Sequence, residues 1–161
     1  MKPWLAYLFA TLVVTTTALL PSNVMSSTKS TWYDCIKPSI TPPNFVFPIV
    51  WSILYIMIAI ALAQTLLLPS STTRNLLLVV FGVNLLLNVL WSYAYFGWRN
   101  MLLSMAIIII LWATIIIIVV QSFKVHPKWV GYILLPYLFW VSFATILNGL
   151  SLSKASECAM L

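Results

Sequence analysis

Five stretches of this chain run for more than twenty residues without a charged side chain: residues 3–28, 38–73, 75–98, 101–123 and 129–153. Crossing ~30 Å of hydrocarbon takes about 20 apolar residues in a helix, so each stretch is long enough to span a bilayer. A membrane β-barrel needs strands that alternate apolar and polar residues, and the unbroken isoleucine runs at 107–110 and 115–118 rule that pattern out. Only 6% of the residues are charged, against roughly 25% in a soluble domain, too few to cover a water-facing surface. The spacing therefore predicts an all-α integral membrane protein. It forms one five-helix transmembrane domain over 1–161, with helices at about 4–22, 45–68, 75–96, 101–123 and 128–152.

The first stretch has a second reading. Lys2, an apolar run and the tail Pro21-Ser22-Asn23 also fit a signal peptide. The apolar run is longer than most signal cores and no Ala-x-Ala site follows, so a retained helix is expected. Residues 23–44 form the one long loop, with Trp32-Tyr33-Asp34 and a proline-rich run at Pro38, Pro42 and Pro43. Residues before proline favour extended conformations, so the loop is expected to be stiff, a lid rather than a linker. The turn at 97–100 makes its two flanking helices antiparallel neighbours. The last helix is expected to be interrupted at Pro136. No internal repeat is present.

Net charge is +6 but thinly spread. A nucleic-acid surface needs clustered Lys and Arg, so no nucleic acid is expected as a partner; membrane lipid is. With five crossings, Lys2, Arg74, Lys124 and Lys128 share one side, and Lys29, Lys37, Arg99 and Lys154 the other. The tally is even, and positive charge does not orient the chain. Cys35 and Cys158 fall on the same side and read as unremarkable thiols. His126, beside Lys124, Pro127 and Lys128, reads as a solvated loop histidine rather than a haem ligand, and no metal site is expected.

No Asp, Glu, His, Lys or Arg lies inside a span. Intramembrane ionisable groups are kept for function, so their absence argues against proton relays, ion pumping and conventional acid–base catalysis. Aromatic and amide chemistry remains. Trp4, Trp32, Trp98 and Trp129 sit at span ends, where the interfacial belt accounts for them; Trp51, Trp91, Trp112 and Trp140 lie deeper. Asn84, Asn88, Trp91 and Tyr95 share one helix face. Tyr137, Trp140, Ala144, Asn148 and Ser151 share another, and Trp51 and Tyr55 a third. Asparagine in hydrocarbon needs a partner, so these faces point inward. Two readings stay open on spacing alone. The amides bond helix to helix, at about 0.6 kcal/mol each, or they edge an apolar, tryptophan-walled pocket for a flat hydrophobic ligand.

Three blocks carry a family resemblance. Trp32-Tyr33, Lys37-Pro38 and Pro42-Pro43 lead into Phe47-Pro48-Ile49-Val50-Trp51 and Leu54-Tyr55. Leu87-Asn88, Trp91-Ser92 and Phe96-Gly97 follow, then Pro136-Tyr137-Leu138, Trp140, Phe143-Ala144-Thr145 and Leu147-Asn148. In order and spacing the chain resembles a bacterial-type member of the translocator protein family, also called tryptophan-rich sensory proteins. The resemblance implies a homodimer of five-helix bundles in a bacterial cell envelope membrane. It implies a receptor or sensor binding porphyrins (protoporphyrin IX, haem) or isoquinoline-type ligands, with no cofactor required. By position, Trp51 and Trp140 match a pair linked to light- and oxygen-dependent porphyrin breakdown. Asn88, Trp91, Ala144 and Leu147 match other pocket positions, and Trp32 the loop tryptophan. Tyr55, Asn84, Tyr137 and Asn148 join the expected ligand-binding set from their shared faces. A passive carrier of tetrapyrroles or sterols is the alternative. Ile40 stands where the family has a second loop tryptophan, and Gly149 replaces the tyrosine of the sterol-recognition segment. Ala59 and Ala63 form a small-xxx-small pair that hints at helix pairing.

Overall fold

The computed structural model describes residues 1–25, 28 and 30–158. The helices are α1 (Pro3–Leu19), α2 (Thr31–Ile36), α3 (Val46–Leu67), α4 (Thr72–Ser92), α5 (Met101–Val125) and α6 (Lys128–Lys154). A 3₁₀ turn, Leu20–Asn23, continues α1, and a π-turn, Tyr93–Gly97, continues α4. Of these, five are long and apolar enough to cross a membrane, and α2 is not. The starts are written locally: Pro3 opens α1, and the side chains of Ser30, Ser71 and Asn100 accept from Tyr33, Arg74 and Leu103 backbone N–H groups to cap α2, α4 and α5.

Contacts run α1–α3, α3–α6, α6–α5, α5–α4 and α4–α1, so the five spans close into a ring. In the packed pair α1 and α3, Ala6, Ala10, Ala61 and Ala63 are completely buried within the bundle, and small residues of this kind let membrane helices approach closely. Ala63 is thus spent inside the single chain, whatever its spacing from Ala59. Gln64 Nε2 donates to Tyr7 Oη at 2.6 Å across the same pair.

Four expectations need correction. Residues 31–36 of the long loop are helical rather than extended, because the Ser30 cap starts a turn ahead of the first proline of the loop. Helix α6 runs unbroken through Pro136; proline inside a membrane helix is tolerated when neighbouring helices hold both halves. Cys35 and Cys158 are joined as a disulfide. His126 is buried, its Nε2 3.2 Å from Thr65 Oγ1. That hydroxyl donates to Ala61 O at 2.9 Å, so the imidazole supplies the proton to Thr65 from Nε2.

Burial pushes the His126 pKa below its ordinary 6.5. The unfolded chain then takes up a proton first as pH falls, so stability is full above about pH 6.5 and declines below it until the folded imidazole also protonates. Acid should lower the thermal midpoint of the detergent-solubilised protein across this window, and His126→Gln should flatten that dependence. An identical pH profile in the variant would remove His126 as its source.

Candidate functional site

The lid end of the ring encloses a cavity of about 510 Å³. Its walls come from the end of α1 (Ala18, Leu19), from Tyr33 of α2, and from Phe47, Trp51 and Tyr55 of α3. Asn88, Trp91 and Phe96 close it on the α4 side, Trp140 and Ala144 on α6. None of the described wall residues is charged.

The aromatic walls brace one another. The Trp51 ring lies 5.3 Å from Tyr55 and meets Tyr137 edge-on at 6.3 Å. Trp140 meets Phe47 edge-on at 5.6 Å, and Trp91 meets Phe96 edge-on at 5.9 Å. Centroid distances of 4.5–7 Å are those of favourable aromatic pairs. The π-turn widens the end of α4, with Trp98 N–H donating to Tyr93 O at 2.7 Å and Asn100 N–H to Ala94 O at 2.9 Å. Such bulges recur at functional sites, and this one carries Phe96 to the cavity.

Beneath the aromatics lies a buried polar chain. Asn84 Nδ2 donates to Thr114 Oγ1 at 2.9 Å, and Thr114 donates to Leu111 O at 2.6 Å. Tyr137 Oη donates to Asn84 Oδ1 at 2.9 Å and accepts from Asn88 Nδ2 at 2.6 Å. The chain links α5, α4 and α6. It also fixes which way Asn88 points: the amide nitrogen is engaged below, so the carbonyl oxygen is the atom it offers to the cavity. A parallel link holds Trp91, whose Nε1 donates to Asn148 Oδ1 at 2.8 Å while Asn148 Nδ2 donates to Ser104 Oγ at 3.1 Å. Trp140 Nε1, in contrast, is buried with no partner among the described residues.

Of the residues singled out from sequence, Trp51, Tyr55, Asn88, Trp91, Trp140 and Ala144 face the cavity. Asn84, Tyr137, Asn148 and Leu147 are buried behind it, the first three as hydrogen-bonding supports. Trp32 is buried outside it, edge-on to Tyr95 at 6.3 Å, with the Arg99 guanidinium 4.9 Å from its ring centre. Arg99 has φ of 52°, a left-handed turn that a side chain seldom adopts. Tyr33 takes the cavity position instead, and burial, then the Asp34 carboxylate, raises its pKa above the ordinary 10.0. Trp112 faces lipid, its Nε1 donating to Ser142 Oγ at 2.8 Å. Sequence reading missed Tyr33, Phe47 and Phe96. Phe47 was within reach, one turn before Trp51 on the same face; Tyr33 depends on α2, which the proline-rich loop concealed.

Fold and site together define a multi-pass membrane protein with a neutral, aromatic cavity between its helices. The chain belongs to the TspO/MBR family, whose model matches residues 8–151. It is 38% identical over 122 residues to the tryptophan-rich protein TspO of Chlorobaculum tepidum, covering 74% of this chain and 77% of that one. It is 34% identical over 120 residues to protein CrtK of Rhodobacter capsulatus, covering 73% and 74%. With the tryptophan-rich sensory protein of Cereibacter sphaeroides it shares 31% over 118 residues, 73% of this chain and 72% of the relative. These bacterial relatives support a bacterial membrane as its location.

Tyr137→Phe keeps the ring but removes the hydroxyl that joins Asn84 to Asn88. It should lower unfolding free energy by about 1–2 kcal/mol, the upper range for polar pairs in membrane helices, whereas Tyr132→Phe at the exposed face should not. Denaturation in mixed micelles checks this; equal midpoints for both variants would show that the chain does not support the bundle.

Proposed function

We propose that the chain is a membrane receptor or sensor that binds porphyrins such as protoporphyrin IX or haem, and flat isoquinoline-type ligands, in the aromatic cavity. What supports this reading is a volume of about 510 Å³, within the usual range of about 300–1,000 Å³ for ligand pockets, faced by five Trp and Tyr rings (Tyr33, Trp51, Tyr55, Trp91 and Trp140) with no charged residue among the described walls. A planar conjugated ring gains burial and offset stacking on such faces. The Asn88 carbonyl oxygen accepts an N–H or O–H from the ligand's polar edge. Iron ligation plays no part: His126 lies at the opposite end of the bundle, engaged with Thr65. Excited porphyrin, dioxygen and the indoles of Trp51 and Trp140, confined together, supply light-driven oxidation of the ligand without an acid–base residue. Pairing into a homodimer belongs to the same proposal.

Titration of the purified protein with protoporphyrin IX in the dark should quench tryptophan fluorescence saturably. Trp51→Phe/Trp140→Phe gives up about 0.5 kcal/mol of stacking per ring, so its affinity should fall about fivefold or more. Illumination in air should then bleach the bound porphyrin faster in wild type than in the variant. Unsaturable quenching, or the same curve for both proteins, would leave porphyrin merely partitioning into the micelle.

One observation favours a carrier as the second reading. A groove of about 400 Å³ between α3 and α6, lined by Ile53, Pro136, Phe139 and Phe143, faces the lipid, and Trp140 lines both groove and cavity. Trp140→Ala would open that partition. If the chain is a carrier, the variant should speed porphyrin transfer between proteoliposomes; unchanged transfer leaves the receptor reading alone.

A further inference from the structure

The chain has two cysteines, and the disulfide between Cys35 and Cys158 spans 123 residues of sequence. Cys35 lies in α2, two residues from Tyr33, whose ring walls the cavity. Cys158 lies just past the end of α6, the helix that carries Trp140 and Ala144. On one side α2 packs through its rings, Trp32 on Tyr95 and beneath Arg99, and Tyr33 5.9 Å from Phe96. On the other side the covalent bond fastens it to α6, beside a weak hydrogen bond from Lys154 Nζ to Lys37 O at 3.3 Å. Cys35 is half-buried and Cys158 fully buried, so a reagent reaches the bond from the Cys35 side.

We propose that Cys35–Cys158 is a thiol–disulfide exchange site that latches the lid helix over the cavity, and that this end of the bundle faces the oxidising side of the membrane. The reagent class is a dithiol. Its thiolate attacks Cys35 Sγ, forming a mixed disulfide and releasing the Cys158 thiolate. The second thiol of the reagent then attacks its own sulfur in the mixed disulfide and releases Cys35. Two electrons and two protons pass to the protein, which ends with two thiols, and the reagent ends as a disulfide. Structural disulfides persist in oxidising compartments and are rare in the cytosol, so the bond supplies the orientation that the even Lys and Arg tally does not. Both acidic residues, Asp34 and Glu157, lie at this same end. The far end, with Lys2, Arg74, Lys124 and Lys128, then meets the anionic cytoplasmic leaflet. The proposal rests on the packing of the lid and needs no ligand, so it stands or falls apart from porphyrin binding.

The test has two readings on the full chain. In lipid nanodiscs, hydrogen exchange is followed at α2, whose Asp34 and Lys37 amides bond Ser30 O and Tyr33 O. Adding dithiothreitol, or replacing both cysteines (Cys35→Ser/Cys158→Ser), should speed exchange there about tenfold or more, the signature of local opening, while α5 stays protected and reports an intact fold. In spheroplasts, a membrane-impermeant maleimide should label the cysteines after an impermeant reductant and without lysis. Unchanged exchange at α2 overturns the latch. Labelling only after lysis overturns the orientation, and labelling without reductant overturns the disulfide.

Discussion

Hydrocarbon offers no hydrogen-bond partner, so every amide and hydroxyl carried into it must be satisfied by the protein. Much of this bundle follows from that constraint. Asn84, Asn88, Tyr137 and Thr114 come from three different helices, and each is buried. One arrangement of α4, α5 and α6 brings them within bonding distance; rotating any of the three would leave a polar group in lipid. Leu and Ile elsewhere in the core are interchangeable with lipid tails and carry little information about which face meets which. The polar chain therefore sets the rotation of the helices, and the apolar residues fill the space it defines.

The cavity lies beside that chain, where Trp51, Tyr55, Trp91 and Trp140 bring large, rigid rings to the inward faces and leave space between them. Asn148 fixes Trp91 through its indole nitrogen, while Trp140 has no such partner among the described residues and stands as the wall between the interior and the lipid-facing groove. The walls so built carry no charge among the described residues, and beside the rings they hold the Asn44 and Asn88 amides and the Ser52 and Ser92 hydroxyls.

Sequence made the spans and their inward faces legible because both rest on strong, local signals: charge-free length, and amides spaced along one helix face. The division of those faces between cavity and support was less visible. Asn84, Asn88 and Asn148 look alike in sequence, yet only Asn88 stands at the depth where the bundle opens. His126 and the cysteines were misread for a related reason. Their burial is set by contacts to residues 61 and 123 positions away, which no local pattern announces. The short α2 was hidden by the prolines that follow it, and with it Tyr33.

The lid poses a problem that packing alone solves poorly. Its aromatics are of the kind that settle comfortably at a membrane interface, so leaving Tyr95 and Phe96 for the headgroup region costs α2 little. A helix of six residues also has too few backbone bonds to persist by itself. Both facts favour an open mouth. The Arg99 guanidinium, held over Trp32 by a strained turn, offsets part of this, but it acts on one side only. A covalent bond from Cys35 to the end of α6 converts undocking of the lid from a free excursion into one that must carry α6 with it. The closed state then depends on the chemistry of the compartment at the mouth, and not on the weak preference of two aromatic rings.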